Sequence, residues 1–168
     1  MIMTNVEDIQ VRGSTTIANG ERAFRVRTMQ IPDLPAVAEL EKASFSTPWS
    51  PNSLTHELLV NPHSYALVIE HRGNVIGYSI GWMYDNEAHI GTFGIHPKFR
   101  KNSLGSFLLR TLLEYCKYKG VQFIYLEVRR SNVPAQKLYL KHGFTIFGIR
   151  KNYYSKDKED ALLMSLSI

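Results

Sequence analysis

One cysteine among 168 residues, Cys116, leaves nothing to pair in an internal disulfide and too few thiolates for a cysteine-based zinc site. The expectation is a reducing, intracellular setting. His56, His63, His71, His96 and His142 lack metal-ligand spacing, so no metal is expected. Long apolar runs are missing as well: none approaches the roughly 18 residues that a membrane span requires, and the first residues have no signal-peptide core. These absences exclude a disulfide scaffold and a membrane span, and they point to a soluble, cytoplasmic protein without a membrane partner. The chain also carries no internal repeat and no low-complexity segment.

What is present is a globular composition, 44% hydrophobic and 21% charged, at a length usual for one compact domain. The net charge of +5 fits a polyanionic partner, whether a nucleotide, a ribosome surface or nucleic acid, without choosing among them. Residues 1–22 are polar, contain Gly13 and Gly20 and hold no period. They read as a loosely held extension, and residues 23–168 as the domain.

Residues 23–29 alternate apolar and basic side chains, as a first strand does. Leu34, Val37, Leu40 and Phe45, with Ala36 and Ala43, keep a helical period after Pro32-Asp33. Pro48 and Pro51 forbid its continuation. Ser50 reads as the N-cap, and Pro51 as the first residue, of a second short helix. Trp49, between the two helices in a proline-bounded loop, either lines a substrate groove or plugs the core. Residues 64–70 and 74–84 are β-type runs joined by His71-Arg72-Gly73-Asn74, a hairpin signal; residues 87–96 make the next strand. Leu104, Phe107, Leu108, Leu112, Tyr115 and Cys116 form the buried stripe of a helix. Residues 122–128 are strongly β-prone, and Asn132 opens a helix closed by His142-Gly143. Residues 144–149 and 161–166 are two more strands around a polar segment, 151–160. The sum is a mixed α/β sheet with helices on its faces.

Between the fourth of these strands and the helix that begins at Leu104 lies Arg100-Lys101-Asn102-Ser103-Leu104-Gly105. The first N–H groups of a helix lack intrahelical partners and the macrodipole is positive there, so a phosphate satisfies both. Gly105 lets the backbone approach closely, and Arg100 and Lys101 add charge. Alone, such a turn is either an anion site or an ordinary solvated turn. Three further segments accompany it: Phe45-Ser46-Thr47-Pro48-Trp49-Ser50; Leu126-Glu127-Val128-Arg129-Arg130-Ser131-Asn132 running into Leu138-Tyr139 and Gly143-Phe144; and Asn152-Tyr153-Tyr154 before Glu159-Asp160-Ala161. Together they make residues 23–168 resemble the GNAT family of acetyl-CoA-dependent N-acetyltransferases, and within it the RimI-like and archaeal protein N-terminal acetyltransferase branch. The resemblance implies a mixed, mostly antiparallel sheet of about seven strands with about four helices packed on both faces. The family loop is Arg/Gln-x-x-Gly-x-Gly/Ala; Ser103 stands at its first glycine, where it can still offer its N–H but is disfavoured in any φ > 0 geometry.

By this resemblance the pyrophosphate of acetyl-CoA, the cosubstrate, lies beside Arg100 on the N–H groups of Lys101, Asn102, Ser103, Leu104, Gly105 and Ser106. The pantetheine arm lies along Phe93, Gly94 and Ile95, since a splayed strand edge offers groups that pair with its amides. Gly94 otherwise marks a bulge, which here belongs to the same device. Asn132 is implied as a further CoA contact and reads equally as an N-cap. Phe45, Trp49, Tyr153 and Tyr154 are implied as walls gripping the first peptide residues.

Acetyl transfer to an amine requires a neutral nucleophile, a stabilised tetrahedral oxyanion and a proton for the leaving thiolate. Glu127, a carboxylate in an otherwise apolar strand, suits the base, and RimI-like enzymes carry theirs at this position. The competing reading is a structural ion pair with Arg129 or Arg130. Tyr139 is implied as the acid; without the motif it reads as a core tyrosine. His89 matches a position where some archaeal and eukaryotic relatives carry a second proton-relay group, and otherwise reads as a surface histidine. Against a base poised near pH 7, deprotonating an α-amino group of pKa about 8 costs roughly 1.4 kcal/mol, and a lysine near 10.4 about 4 to 5. A single carboxylate therefore suits the α-amine.

The expected function is direct acetyl transfer to the N-terminal α-amino group of proteins, ribosomal or nascent, with association with a ribosome or an auxiliary subunit in view. Cys116 on a buried stripe argues against a covalent route through its thiol. The alternatives are an acetyltransferase for lysine or a small polyamine, and a non-catalytic CoA- or nucleic-acid-binding module. The last requires neither Glu127 nor Tyr139, and direct nucleic-acid binding is not expected.

Overall fold

A computed structural model describes residues 24–168; the expected extension, residues 1–22, lies outside the described residues. Seven strands, β1 (Phe24–Thr28), β2 (Ser64–His71), β3 (Asn74–Tyr84), β4 (Glu87–Ile95), β5 (Phe123–Arg129), β6 (Thr145–Tyr154) and β7 (Glu159–Ser167), form one sheet in the order β1-β2-β3-β4-β5-β7-β6. Its helices are α1 (Leu34–Ser44), α2 (Pro51–Leu59), α3 (Leu104–Tyr118) and α4 (Val133–Lys141). The architecture is the expected one: every neighbouring pair is antiparallel except β4 with β5. A parallel pair needs a crossover, and α3 supplies it.

Local chemistry accounts for the joints. Arg72 and Gly73 both take left-handed φ, 50° and 77°, as a two-residue hairpin between β2 and β3 requires. The Ser50 hydroxyl accepts from the Ser53 N–H at 3.0 Å, capping α2 ahead of Pro51. Asn132 Oδ1 accepts from the Ala135 N–H at 3.2 Å and caps α4.

Alternation along β2 distributes the core between two sides of the sheet. Leu67 and Ile69 pack with Leu104, Leu108, Leu109, Leu112 and Cys116 of α3, and with Ile90, Ile124 and Leu126. Ala66 and Val68 pack with Val37 and Leu40 of α1, Leu54 of α2, and Tyr78 and Ile80. A strand covered on both faces reads as a continuous apolar run, as β2 does. Leu108, Leu109 and Leu112 are fully buried, and each such side chain contributes about 1.5–3 kcal/mol.

The polar segment expected at residues 151–160 is instead largely strand, with only residues 155–158 between β6 and β7. Cross-strand ionic contacts replace the apolar alternation there. Lys151 Nζ reaches Asp160 at 2.8 Å, and the Asn152 N–H donates to the same carboxylate at 3.1 Å.

Two irregularities open the sheet. A register shift sets Ile80 opposite Thr92 but Gly81 opposite Ile90, so Gly91 is the extra residue of a bulge in β4. β4 and β5 pair only from Glu87↔Phe123 to Ile90↔Leu126. Past the bulge the two strands part.

Candidate active site

The parting of β4 from β5 leaves two clefts that share a boundary. The larger, about 1000 Å³, is bounded by Phe93, Gly94 and Ile95 of β4, by Arg100, Lys101, Ser103, Leu104, Gly105 and Ser106 ahead of and within α3, and by Asn132 and Leu138 at α4. The smaller, about 150 Å³, is lined by Phe45, Trp49, Phe93, Glu127, Asn132, Tyr139 and Tyr154. Phe45, Phe93, Asn132 and Leu138 belong to both.

At the start of α3 the first helical bond runs from the Phe107 N–H to the Ser103 carbonyl at 3.0 Å. The N–H groups of Leu104, Gly105 and Ser106 therefore lack intrahelical partners, and their residues line the larger cleft. Lys101 and Ser103 hold the loop open with left-handed φ, 63° and 59°. That is the conformation for which a glycine at 103 would be favoured. Gly105 lies close against α4: a Cβ there would sit 3.3 Å from Leu138 Cδ2, a tight contact that the leucine end would have to ease by shifting. Gly94 is not the bulge. A Cβ on it would come within 2.7 Å of the Tyr78 ring, which packs on its backbone. Arg100 turns back, its Nε donating to the Ile95 carbonyl at 3.0 Å and its terminal nitrogen to Ser44 Oγ at 3.3 Å. Asn102 faces the Phe99 carbonyl, 3.4 Å away, and is not among the residues bounding the cleft.

Glu127 is the first residue of β5 past its last pairing with β4, half-buried and facing the smaller cleft. The ion-pair reading of Glu127 does not hold. Arg129 instead binds Asp157 and Glu159, each at 2.9 Å, and Arg130 approaches Asp160 at 3.7 Å. Tyr139 is 6% exposed and lies edge-on to Phe93 and Phe144, with centroids 6.2 and 5.5 Å away. Burial, and secondarily the nearby Tyr154, push its phenol far above the usual range. Burial raises Tyr154 to about 12, with Tyr153 and Glu127 adding to the rise; the Arg129 guanidinium stacks 3.9 Å from its centroid.

Trp49 packs on the α1–α2 core and also lines the smaller cleft. Its ring stacks on Trp82 at 5.9 Å. Tyr153 is 41% exposed and sits beside Tyr154 at 5.0 Å, outside the clefts themselves. His89 is not brought to the cleft and stacks on Tyr125 at 5.6 Å. Among the described residues no group of three His, Cys, Asp or Glu side chains could hold a metal ion, and no helix is long and apolar enough to cross a membrane.

Sequence reasoning missed two features. The first is a latch: the Ser46 hydroxyl donates to Asp157 at 3.0 Å and receives Arg129 at 2.9 Å, while Lys156 Nζ donates to the Ser46 carbonyl at 3.1 Å. It ties the α1–α2 loop to the β6–β7 turn where the clefts meet. No local pattern marks it. The second is Glu41, 1% exposed, which shares the α1 stripe of Leu34, Val37 and Ala38. A charge at that helical position was its one signal.

Comparison with known proteins agrees with this geometry. Residues 34–144 match the family model described as the acetyltransferase (GNAT) family. A Bacillus subtilis protein, named as a candidate ribosomal protein bS18-alanine N-acetyltransferase, is 46% identical over 85% of this chain and 95% of its own length. The crystal structure of the ribosomal-protein-S18-alanine N-acetyltransferase from Escherichia coli superposes with a TM-score of 0.80 at 28% identity, covering 86% of this chain and 94% of that one. That of Ard1 from Thermoplasma volcanium gives 0.81 at 28% identity, over 86% and 97%. With a split sheet, an open helix start beside it and relatives matched along nearly their whole length, the chain belongs to the GNAT family of acetyltransferases.

Proposed function

We propose that this protein transfers the acetyl group of acetyl-CoA to the N-terminal α-amino group of a protein. The N-terminal alanine of ribosomal protein bS18, for which its relatives are named, is the first acceptor to consider, and that substrate implies a cytoplasmic setting. The observation that carries the reading is the meeting of the two clefts where β4 leaves β5, with Glu127 and Tyr139 both facing the smaller one.

The larger cleft fits acetyl-CoA: unpaired N–H groups at the start of α3 suit its pyrophosphate, and the freed edge of β4 at Phe93, Gly94 and Ile95 suits its amides. Lys101, ahead of α3, and Lys137 and Lys141, on α4, line the same cleft and supply positive charge. Bound there, the thioester presents its carbonyl carbon to an amine. Glu127 takes a proton from the incoming ammonium, so that the amine can attack. As the carbon–sulfur bond breaks, Tyr139, kept protonated by burial, gives its proton to the sulfur and takes up the proton that the nitrogen sheds as the amide forms, so that the acetylated amine and the CoA thiol leave. The acceptor enters past Phe45, Trp49 and Tyr154. A single carboxylate meets the roughly 1.4 kcal/mol needed by an α-amine more readily than the 4 to 5 of a lysine.

The test is acetylation of two peptides of equal length, one with a free N-terminal alanine and no lysine, the other N-terminally blocked with lysine amines free. Labelling of the first is expected; exclusive labelling of the second would overturn the α-amine reading.

A further inference from the structure

Glu41 has no part in the chemistry above, yet it is a fully buried carboxylate facing the smaller cleft. Taking a carboxylate out of water costs several kcal/mol, so its retention asks for a return beyond filling space. Three neutral donors satisfy it. Tyr78 Oη donates to Oε1 at 2.7 Å, Thr92 Oγ1 donates to the same oxygen, and the Trp49 backbone N–H donates to Oε2 at 2.9 Å. Burial, reinforced by the charge of Glu41, pushes the Tyr78 phenol far up, so Tyr78 stays a donor at any working pH.

Each donor belongs to a different wall of the site. Trp49 is the acceptor wall. Thr92 follows the bulged Gly91 and begins the part of β4 that has left β5. The Tyr78 ring packs on the Gly94 backbone, in the strand that edges the larger cleft. Gly91 lies between the first two, and a Cβ on it would meet Trp82 Cη2 at 2.8 Å and Trp49 Cη2 at 3.2 Å. One rigid carboxylate with two oxygens thus sets the spacing between acceptor wall, bulge and open strand. A neutral core residue would let each relax separately.

We propose that Glu41 is a positioning residue for acetyl transfer: through Thr92, Tyr78 and Trp49 it fixes the acceptor wall relative to the unpaired segment of β4. The inference rests on the acetyltransferase reading above.

The test compares E41Q, T92V and the double variant with wild type on the alanine peptide, per folded enzyme as titrated by acetyl-CoA binding. L54A serves as control, since Leu54 is fully buried in the same cluster and makes none of the hydrogen bonds to Glu41. Both single variants are expected to lower kcat by about tenfold or more, because small misplacements in a reacting pair are expensive. The double variant is expected to lose no more than about threefold beyond the worse single, because both remove one device. Acetyl-CoA affinity should stay within about threefold, and the near-ultraviolet circular dichroism of the Trp49–Trp82 stack should change. L54A should lose melting temperature and keep kcat. Should E41Q fail to fold, T92V against L54A decides the question. A lowered melting temperature with unchanged kcat and peptide KM in E41Q and T92V would overturn the proposal, as would losses that multiply in the double variant. Failure of wild type to acetylate either peptide would instead remove the functional reading beneath it.

Discussion

Replacing Ser103 by glycine should make the protein more stable while leaving its cofactor grip nearly unchanged. Ser103 is the N-cap of α3 at φ 59° and ψ 7°, and its side chain makes no capping bond that the substitution would sacrifice. The left-handed well costs an L-residue about 1–2 kcal/mol. A glycine gives back about 0.5–1 kcal/mol in backbone entropy lost on folding. The difference, about 0.5–1 kcal/mol in favour of glycine, corresponds to ~1–4 °C in melting temperature for a chain of this size. Ser103→Ala keeps the Cβ and should shift the midpoint by much less. Thermal melts of the three proteins, with and without acetyl-CoA, read this directly. The loop already holds the conformation that leaves the Leu104, Gly105 and Ser106 N–H groups open, so acetyl-CoA affinity should move by less than about threefold, or 0.7 kcal/mol. A lower midpoint for S103G, or an equal gain for S103A, would refute the assignment of strain to this residue.

Tyr139→Phe should reduce kcat by about tenfold or more, with acetyl-CoA affinity little changed; comparable losses in both would reassign the ring to packing against Phe93 and Phe144. At the other edge of the sheet, Arg27 contacts Asp33 at 2.6 Å and holds its carboxyl below the usual range, with the Gln30 N–H adding to the effect. Because the folded-state pKa is depressed, this stabilisation is present above the unfolded value near pH 4 and is lost as pH falls through the lower folded value. Asp33→Asn should therefore cost about 1–2 kcal/mol at neutral pH and flatten the acid limb of stability against pH. An unchanged acid limb in urea melts would count against it.

How much of this was legible depended on how local each signal is. β2 and β3 announced themselves through β-prone runs around Arg72-Gly73, and Ser50 and Asn132 through the residues they cap. The loop ahead of α3 was legible because its residues are contiguous in the chain, 100–106. Ser103 was visible as a departure, but the reason glycine is preferred there is a dihedral angle that only the fold displays. β6 and β7 were cut short because Lys151, Asn152 and Asp160 hold their strands by cross-strand ionic contacts at an edge facing water, where apolar alternation is not needed. Glu41 was illegible in any window, since its donors come from 8, 37 and 51 residues away. The same holds for Arg129, whose partners Asp157 and Glu159 kept it from being the ion-pair mate of Glu127. Local chemistry fixes elements and caps. Long-range polar networks at the cleft need the sheet assembled first.

Glu127, at the point where β5 leaves β4, is proposed to take the proton from an N-terminal amine. Its most direct test is the rate of acetyl transfer to a peptide with a free N-terminal alanine by Glu127→Gln and wild type, both saturated with acetyl-CoA. In the variant kcat should fall by about 100-fold or more, the contribution of a positioned general base, with acetyl-CoA affinity unchanged within about twofold. A variant that transfers acetyl at the wild-type rate would contradict it.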